Sequence, residues 1–146
     1  MKKIISLVIV LIVATMLFVG CAPQIDVADL TAKLKAKGLT DGMCYVTPEE
    51  CERATSLTNS EIAFMGGDFT VEIVNQISLI ENGDNSRACT FVTFATEEQA
   101  TKFAELNISY FKKIGNTNNW KFAYSGCVVV LTNLDVAFEL INLRFR

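Results

Sequence analysis

The chain predicts an α+β fold, an antiparallel sheet packed with helices. Two helix-start signatures, Thr47-Pro48-Glu49-Glu50 and Thr96-Glu97-Glu98-Gln99, place a capping Thr three residues before a Glu or Gln. Two pairs of apolar, β-type runs are each joined by a short turn, at Asn82-Gly83 and at Ser125-Gly126. Helix and hairpin signals alternate, as one mixed domain requires.

The first helix is predicted over Asp26 to Lys37. Asp26 suits the N-cap, Asp29 the first turn, and Gly38 the stop. Val27, Leu30 and Leu34 recur at helical spacing and should face the core. A short strand is expected at Met43 to Thr47, then a short helix to about Ala54, with Leu57 to Gly67 irregular. Phe69 to Ile80 reads as a long strand in which Phe69, Val71, Ile73, Ile77 and Leu79 share a face under strict alternation. Arg87 to Ala95 returns from the Asn-Gly turn. A long helix follows to about Lys113, closed by Gly115, with Ala100, Phe103, Ala104, Asn107, Phe111 and Ile114 inward. Trp120 to Tyr124 and Cys127 to Thr132 form the second hairpin. Asn133-Leu134-Asp135 opens a final helix, with Ala137, Phe138, Leu140 and Ile141 as burial candidates. From 43 to 124 the order is strand, helix, strand, strand, helix, strand. That is the split βαβ order of ferredoxin-like folds, here with an extra strand and helix. Helices on one face are the simplest arrangement. However, Val128 to Leu131 is apolar on both faces, so its second face needs cover, for which the helix at 26 to 37 is the first choice.

The 146 residues carry a formal charge of −3 and no histidine. Ser-His-Asp and Cys-His catalysis and His-ligated metals are therefore excluded within this chain. No strongly basic footprint points to nucleic acid.

The N-terminus has the tripartite layout of a secretory signal. Lys2 and Lys3 precede an almost wholly apolar run from Ile4 to Val19, which ends in Leu17-Phe18-Val19-Gly20-Cys21. The small residue before a cysteine resembles the lipobox of bacterial lipoproteins, with Phe18 where Leu is commoner. The resemblance implies a diacylglycerol on Cys21 and cleavage before it. Residues 1–20 would then be a signal peptide, 21–25 the lipidated cysteine and a short tether, and 26–146 a single α+β domain. Without Lys2 and Lys3, 11 basic residues face 16 acidic ones. An uncleaved membrane anchor and an ordinary secretory signal are the alternatives. A tether of four residues reaches only about 13 Å, so the domain would sit close to the headgroups. The remainder resembles a loose group of small uncharacterised bacterial lipoproteins through Lys33-Leu34-x-x-Lys37-Gly38 and Phe94-Ala95-Thr96-Glu97-Glu98-Gln99-Ala100. That group implies no activity, so no functional residue carries over.

Four cysteines remain for disulfides. Cys44 with Cys51 and Cys89 with Cys127 is the preferred scheme, against four buried thiols. Glu49, Glu50 and Glu52 could act as acids or bind calcium, but capping and the helix dipole already explain their placement. Asp84, with Asn82 and Asn85, reads as a turn rather than a calcium loop. Lys33, Lys35 and Lys37 suit either a solvated helix end or anionic headgroups. Trp120, Phe122 and Tyr124 alternate onto one strand face, with Phe91 or Phe94 as neighbours, and are the candidate binding face; the competing reading is core.

The expected function is a membrane-anchored extracytoplasmic lipoprotein, a non-enzymatic binding module. Its expected partners are membrane lipid through Cys21 and a protein or small molecule, with no cofactor, metal, catalytic residue or nucleic acid. In a Gram-negative cell, Ala22 after the cysteine would favour the outer membrane. The alternatives are a small envelope enzyme or enzyme inhibitor without histidine chemistry, and an assembly component that pairs through its sheet.

Overall fold

The computed structural model describes residues 25–116, 118–141, 143 and 145–146. The expected signal segment, Cys21 and most of the tether lie outside the described residues. The elements in chain order are α1 (Val27–Ala36), β1 (Thr40–Asp41), α2 (Pro48–Phe64), β2 (Ile73–Glu81), β3 (Asp84–Phe94), α3 (Glu97–Ile114), β4 (Lys121–Ser125), β5 (Val128–Thr132) and α4 (Asp135–Leu140). The fold is α+β. Its five strands run in the order β1-β2-β3-β5-β4, every neighbour antiparallel. This is a ferredoxin-like variant. β5 sits beside β3, in the seat the first strand takes in the split βαβ arrangement, and the first strand lies outside β2.

The helix-start signatures act as their chemistry requires. Asp26 accepts from Asp29 N–H and caps α1. Thr47 and Glu50 form a reciprocal capping box at α2. At α3 only half the box closes. Thr96 accepts from Gln99 N–H, but the Gln99 side chain accepts instead from Glu72 N–H, tying α3 to the approach of β2.

Helices cover both faces of the sheet rather than one. On the first face, Leu79, Cys89, Phe91, Val128 and Val130 pack with Leu34 of α1 and Ala137 of α4, and Val27 and Leu30 join the edge of that cluster. On the second, Ile73, Val92, Phe94 and Val129 pack with Ala54 and Ile62 of α2 and with Ala100, Phe103 and Ala104 of α3. The doubly apolar β5 is the cause. Val128, Val129 and Val130 are all fully buried, and burying each stabilises by roughly 1.5–3 kcal/mol. The cover expected from the first helix is present, shared with α4.

Four expectations need correction. The first strand falls at Thr40–Asp41, and of the expected Met43–Thr47 segment only Tyr45 bridges β2, at Gln76. Gly42 between them lies so close to β2 that a Cβ would meet Ile80 Cγ2 at 2.8 Å. α2 does not stop near Ala54 but runs to Phe64. β2 starts at Ile73, not Phe69, and a bulge between Ile73 and Asn75 breaks the alternation. Phe69, Val71 and Ile73 therefore pack on the α2/α3 side, whereas Leu79 packs on the α1/α4 side. Ile114 is exposed rather than inward.

Candidate functional site

The tip of the domain where α2, α3 and β4 meet carries an aromatic groove. Its floor is Phe122 on β4, only 1% exposed, beside Leu131 on β5. Phe111 of α3 lies over it, ring centroids 5.5 Å apart. Tyr110 stands edge-on to Phe111 at 6.2 Å, and Phe64, at the end of α2, stands edge-on to Tyr110 at 6.4 Å. Phe64 is 80% exposed. This wall, with Met65 and Trp120, bounds a depression of about 330 Å³. That size is at the small end for sites that take small molecules.

Trp120 is held from behind. Its N–H donates to Asn116 Oδ1 at 2.8 Å, and its carbonyl accepts from the Asn116 side-chain amide. Asn119 beside it has φ +55°, an αL position that Asn tolerates. The next residue but one, Phe122, exchanges backbone hydrogen bonds with Arg146, which fixes that point of the sheet edge. The groove is thus built on clamped backbone.

Its polar groups are few. Glu61 lies one turn before Phe64. It keeps one side open to water, and partial burial of its carboxyl raises it above the ordinary carboxylate range. It makes no ion pair among the described residues. Asn107 is buried and spends its side-chain amide on the Phe103 carbonyl. Lys112 and Arg146 line an adjoining depression that shares Phe111, Trp120 and Phe122.

Of the residues the sequence singled out, Trp120 and Phe122 come together here, Phe122 as floor. Tyr124 points to the same face but lies away from the groove. Its hydroxyl donates to Glu105 at 3.5 Å, and Arg146 sits 6.0 Å from its ring. Phe91 belongs to the opposite face and Phe94 packs on Phe103, so neither joins the site. The sequence reading missed Phe64, Tyr110 and Glu61. The first and last fell in a stretch read as irregular; Tyr110 falls outside the inner stripe drawn for α3.

The expected disulfides are not formed: Cys44, Cys51 and Cys89 are free. Cys51 donates to the carbonyls of Val74 and Tyr45, and Cys44 to that of Ser78, which turns the two thiols to different points on β2. Cys89 pairs in register with Thr132, while Phe94 bonds Cys127, five residues along β3. Five strand residues span about 17 Å, far beyond disulfide reach. Burial pushes the Cys89 thiol up to about 12 and raises that of Cys51.

The other charged candidates have structural roles. Hydrogen bonds from the backbones of Thr47 and Val46 hold Glu50 below its usual range. The Ser86 hydroxyl and N–H do the same for Asp84 within its turn. Lys33 pairs with Asp29 and Lys35 with Asp41, which leaves Lys37 as the member of that group without an ion pair among the described residues. Also among the described residues, no group of three or more Cys, Asp or Glu is placed to hold a metal ion, and no helix is long and apolar enough to cross a membrane.

Comparison with family models, curated proteins and solved structures finds no match to the chain.

Proposed function

We propose that the protein is a lipoprotein held on the extracytoplasmic face of a membrane through Cys21, and that its domain is a non-enzymatic binding module whose ligand enters the aromatic groove. The groove carries this reading. Phe64 is 80% exposed and touches the domain through an edge-on contact with Tyr110, and exposed aromatic side chains gathered around a concave depression offer a place for a ligand. The anchor rests on the Gly20-Cys21 junction after an apolar run. Ile25, four residues after Cys21 in sequence, is buried in the core, which supports a short tether.

Two measurements test the reading. Mass spectrometry of protein from native membranes should find Cys21 N-terminal and diacylated. An unmodified or disulfide-bonded Cys21, or a retained Met1, refutes the anchor. A neutral apolar fluorophore, N-phenyl-1-naphthylamine, should bind the full-length protein at one saturable site, and Phe64→Asp should abolish that binding without altering the far-UV spectrum. Equal binding by the variant refutes the groove.

A further inference from the structure

We infer that the groove takes a small organic ammonium ion bearing an apolar substituent. This deepens the binding-module reading and rests on it.

Three features, the first two of them on the same helix end, select a cation. Glu61 is the one charged side chain on the groove, it has no ion-pair partner among the described residues, and it is partly desolvated against the apolar wall. One side of that carboxylate is turned from water and the other is open to a ligand cation. Secondly, Glu61, Phe64 and Met65 form the C-terminal end of α2, the negative pole of its dipole. Lys or Arg in the last turn stabilises such a pole. α3 does so with Lys112 and Lys113, but α2 has no basic residue in its last turn. The backbone N–H groups of Met65, Gly66 and Gly67 cap the Glu61, Ala63 and Ile62 carbonyls, and Lys113 of α3 lines a depression beside Phe64 and Met65, so the pole only supplements the charge of Glu61. Thirdly, the wall is aromatic. Phe64, Tyr110 and Phe111 alternate edge and face at interplanar angles of 64° and 86°, and Trp120 adds the ring type that attracts cations most. Aliphatic side chains would have served a neutral apolar guest as well.

The shape sets the rest of the ligand. A depression of about 330 Å³, floored by Phe122 and Leu131, accommodates an ammonium head and one apolar group of roughly benzyl size. Three cations lie nearby and none lines the groove itself: Lys113 borders a separate depression beside Phe64, Met65 and Tyr110. Lys112 and Arg146 line the adjoining depression, Arg146 is drawn to Tyr124, and neither pairs with Glu61. The mature chain's acidic balance favours approach of a cation.

The test uses the full-length protein in detergent and its single Trp, which lies on the groove. Benzyltrimethylammonium should change Trp120 emission saturably. Its neutral isostere, neopentylbenzene, should bind at least about tenfold more weakly. Glu61→Gln should weaken the cation by about tenfold and leave the neutral isostere unchanged. Glu105→Gln removes the same charge from outside the groove and should change neither. If the isostere binds as well as the cation, or Glu61→Gln has no more effect than Glu105→Gln, the ammonium inference fails while the binding-module reading stands. If neither probe, nor N-phenyl-1-naphthylamine, reaches a saturable site, both fail. Binding of the cation only when presented as a lysine in a peptide overturns the small-molecule assignment.

Discussion

Replacing Leu34 by Ala removes three carbons from a fully buried side chain at the centre of the α1 face. At about 0.8 kcal/mol per buried methylene, the lost transfer energy alone is about 2.4 kcal/mol. A cavity term adds up to roughly 2 kcal/mol if the surroundings stay fixed. α1 has ten residues and lies on one face of the sheet, so it can settle toward the void. The expected cost is therefore in the lower half of that range, about 3 kcal/mol, or roughly a 12 °C fall in Tm for a domain of this size. Urea titration followed by Trp120 fluorescence and by far-UV circular dichroism reads it directly. Ala32→Gln, on the exposed side of the same helix, should stay within about 0.5 kcal/mol. A cost below about 1 kcal/mol for Leu34→Ala would refute the argument that α1 seals the face carrying Val128 and Val130.

Asn133 extends the β3–β5 pairing with its side chain, accepting from Ala88 N–H at 3.0 Å and donating to the Ser86 carbonyl at 2.6 Å; Asn133→Ala strands a buried N–H and should cost about 2–3 kcal/mol in urea titration. Thr47→Ala should cost about 1 kcal/mol by loss of the α2 cap. Glu50 has a folded pKa below its ordinary 4.5, so its contribution is present above that value and is lost as pH falls through the folded one; Glu50→Gln should flatten the acid limb of the stability curve, and an unchanged limb would contradict the capping role. Cys89, pushed up to about 12 and fully buried, should resist iodoacetamide at pH 8 in the folded protein, while half-buried Cys44 reacts; alkylation at equal rates would show that β3 opens readily.

What could be read from sequence follows from how local each signal is. Both capping Thr residues, Asp26 and the Asn82-Gly83 turn, at φ 54° and 74°, act within four residues of themselves, and the structure uses each as expected. The doubly apolar β5 was legible because alternation leaves two of its residues facing away from any single core. α2 was cut short for the opposite reason. Thr55, Thr58, Asn59 and Ser60 are poor helix formers and read as loop. In the structure two of them are staples: Thr55 accepts from Ile73 N–H, and Asn59 takes both the N–H and the carbonyl of Val71. These contacts bind the approach of β2 to the helix, so tertiary structure overrides propensity. The signal that remained was the spacing of Cys51, Ala54, Thr58 and Ile62, all buried at helical intervals. The bulge at Val74 left no such trace, because a perfect alternation in sequence conceals an inserted residue.

The truncation of α2 also hid the site. Once the helix is carried to Phe64, Glu61, Phe64 and Met65 fall on one surface, and that surface meets Tyr110 and Phe111 of α3. The strand residues named from sequence then change meaning. Phe122 is spent as floor, Tyr124 is taken up by Glu105, and Trp120 alone keeps its face for a ligand. Trp120 is also the residue whose backbone Asn116 grips on both sides. Backbone held in place before binding loses little freedom when a guest arrives, so less of the contact energy is spent on ordering this segment. The two ends of the groove are thus made by different means. An aromatic on clamped backbone faces the end of α2, where Glu61 has no ion pair among the described residues, and the inferred ligand, apolar at one end and cationic at the other, would meet both.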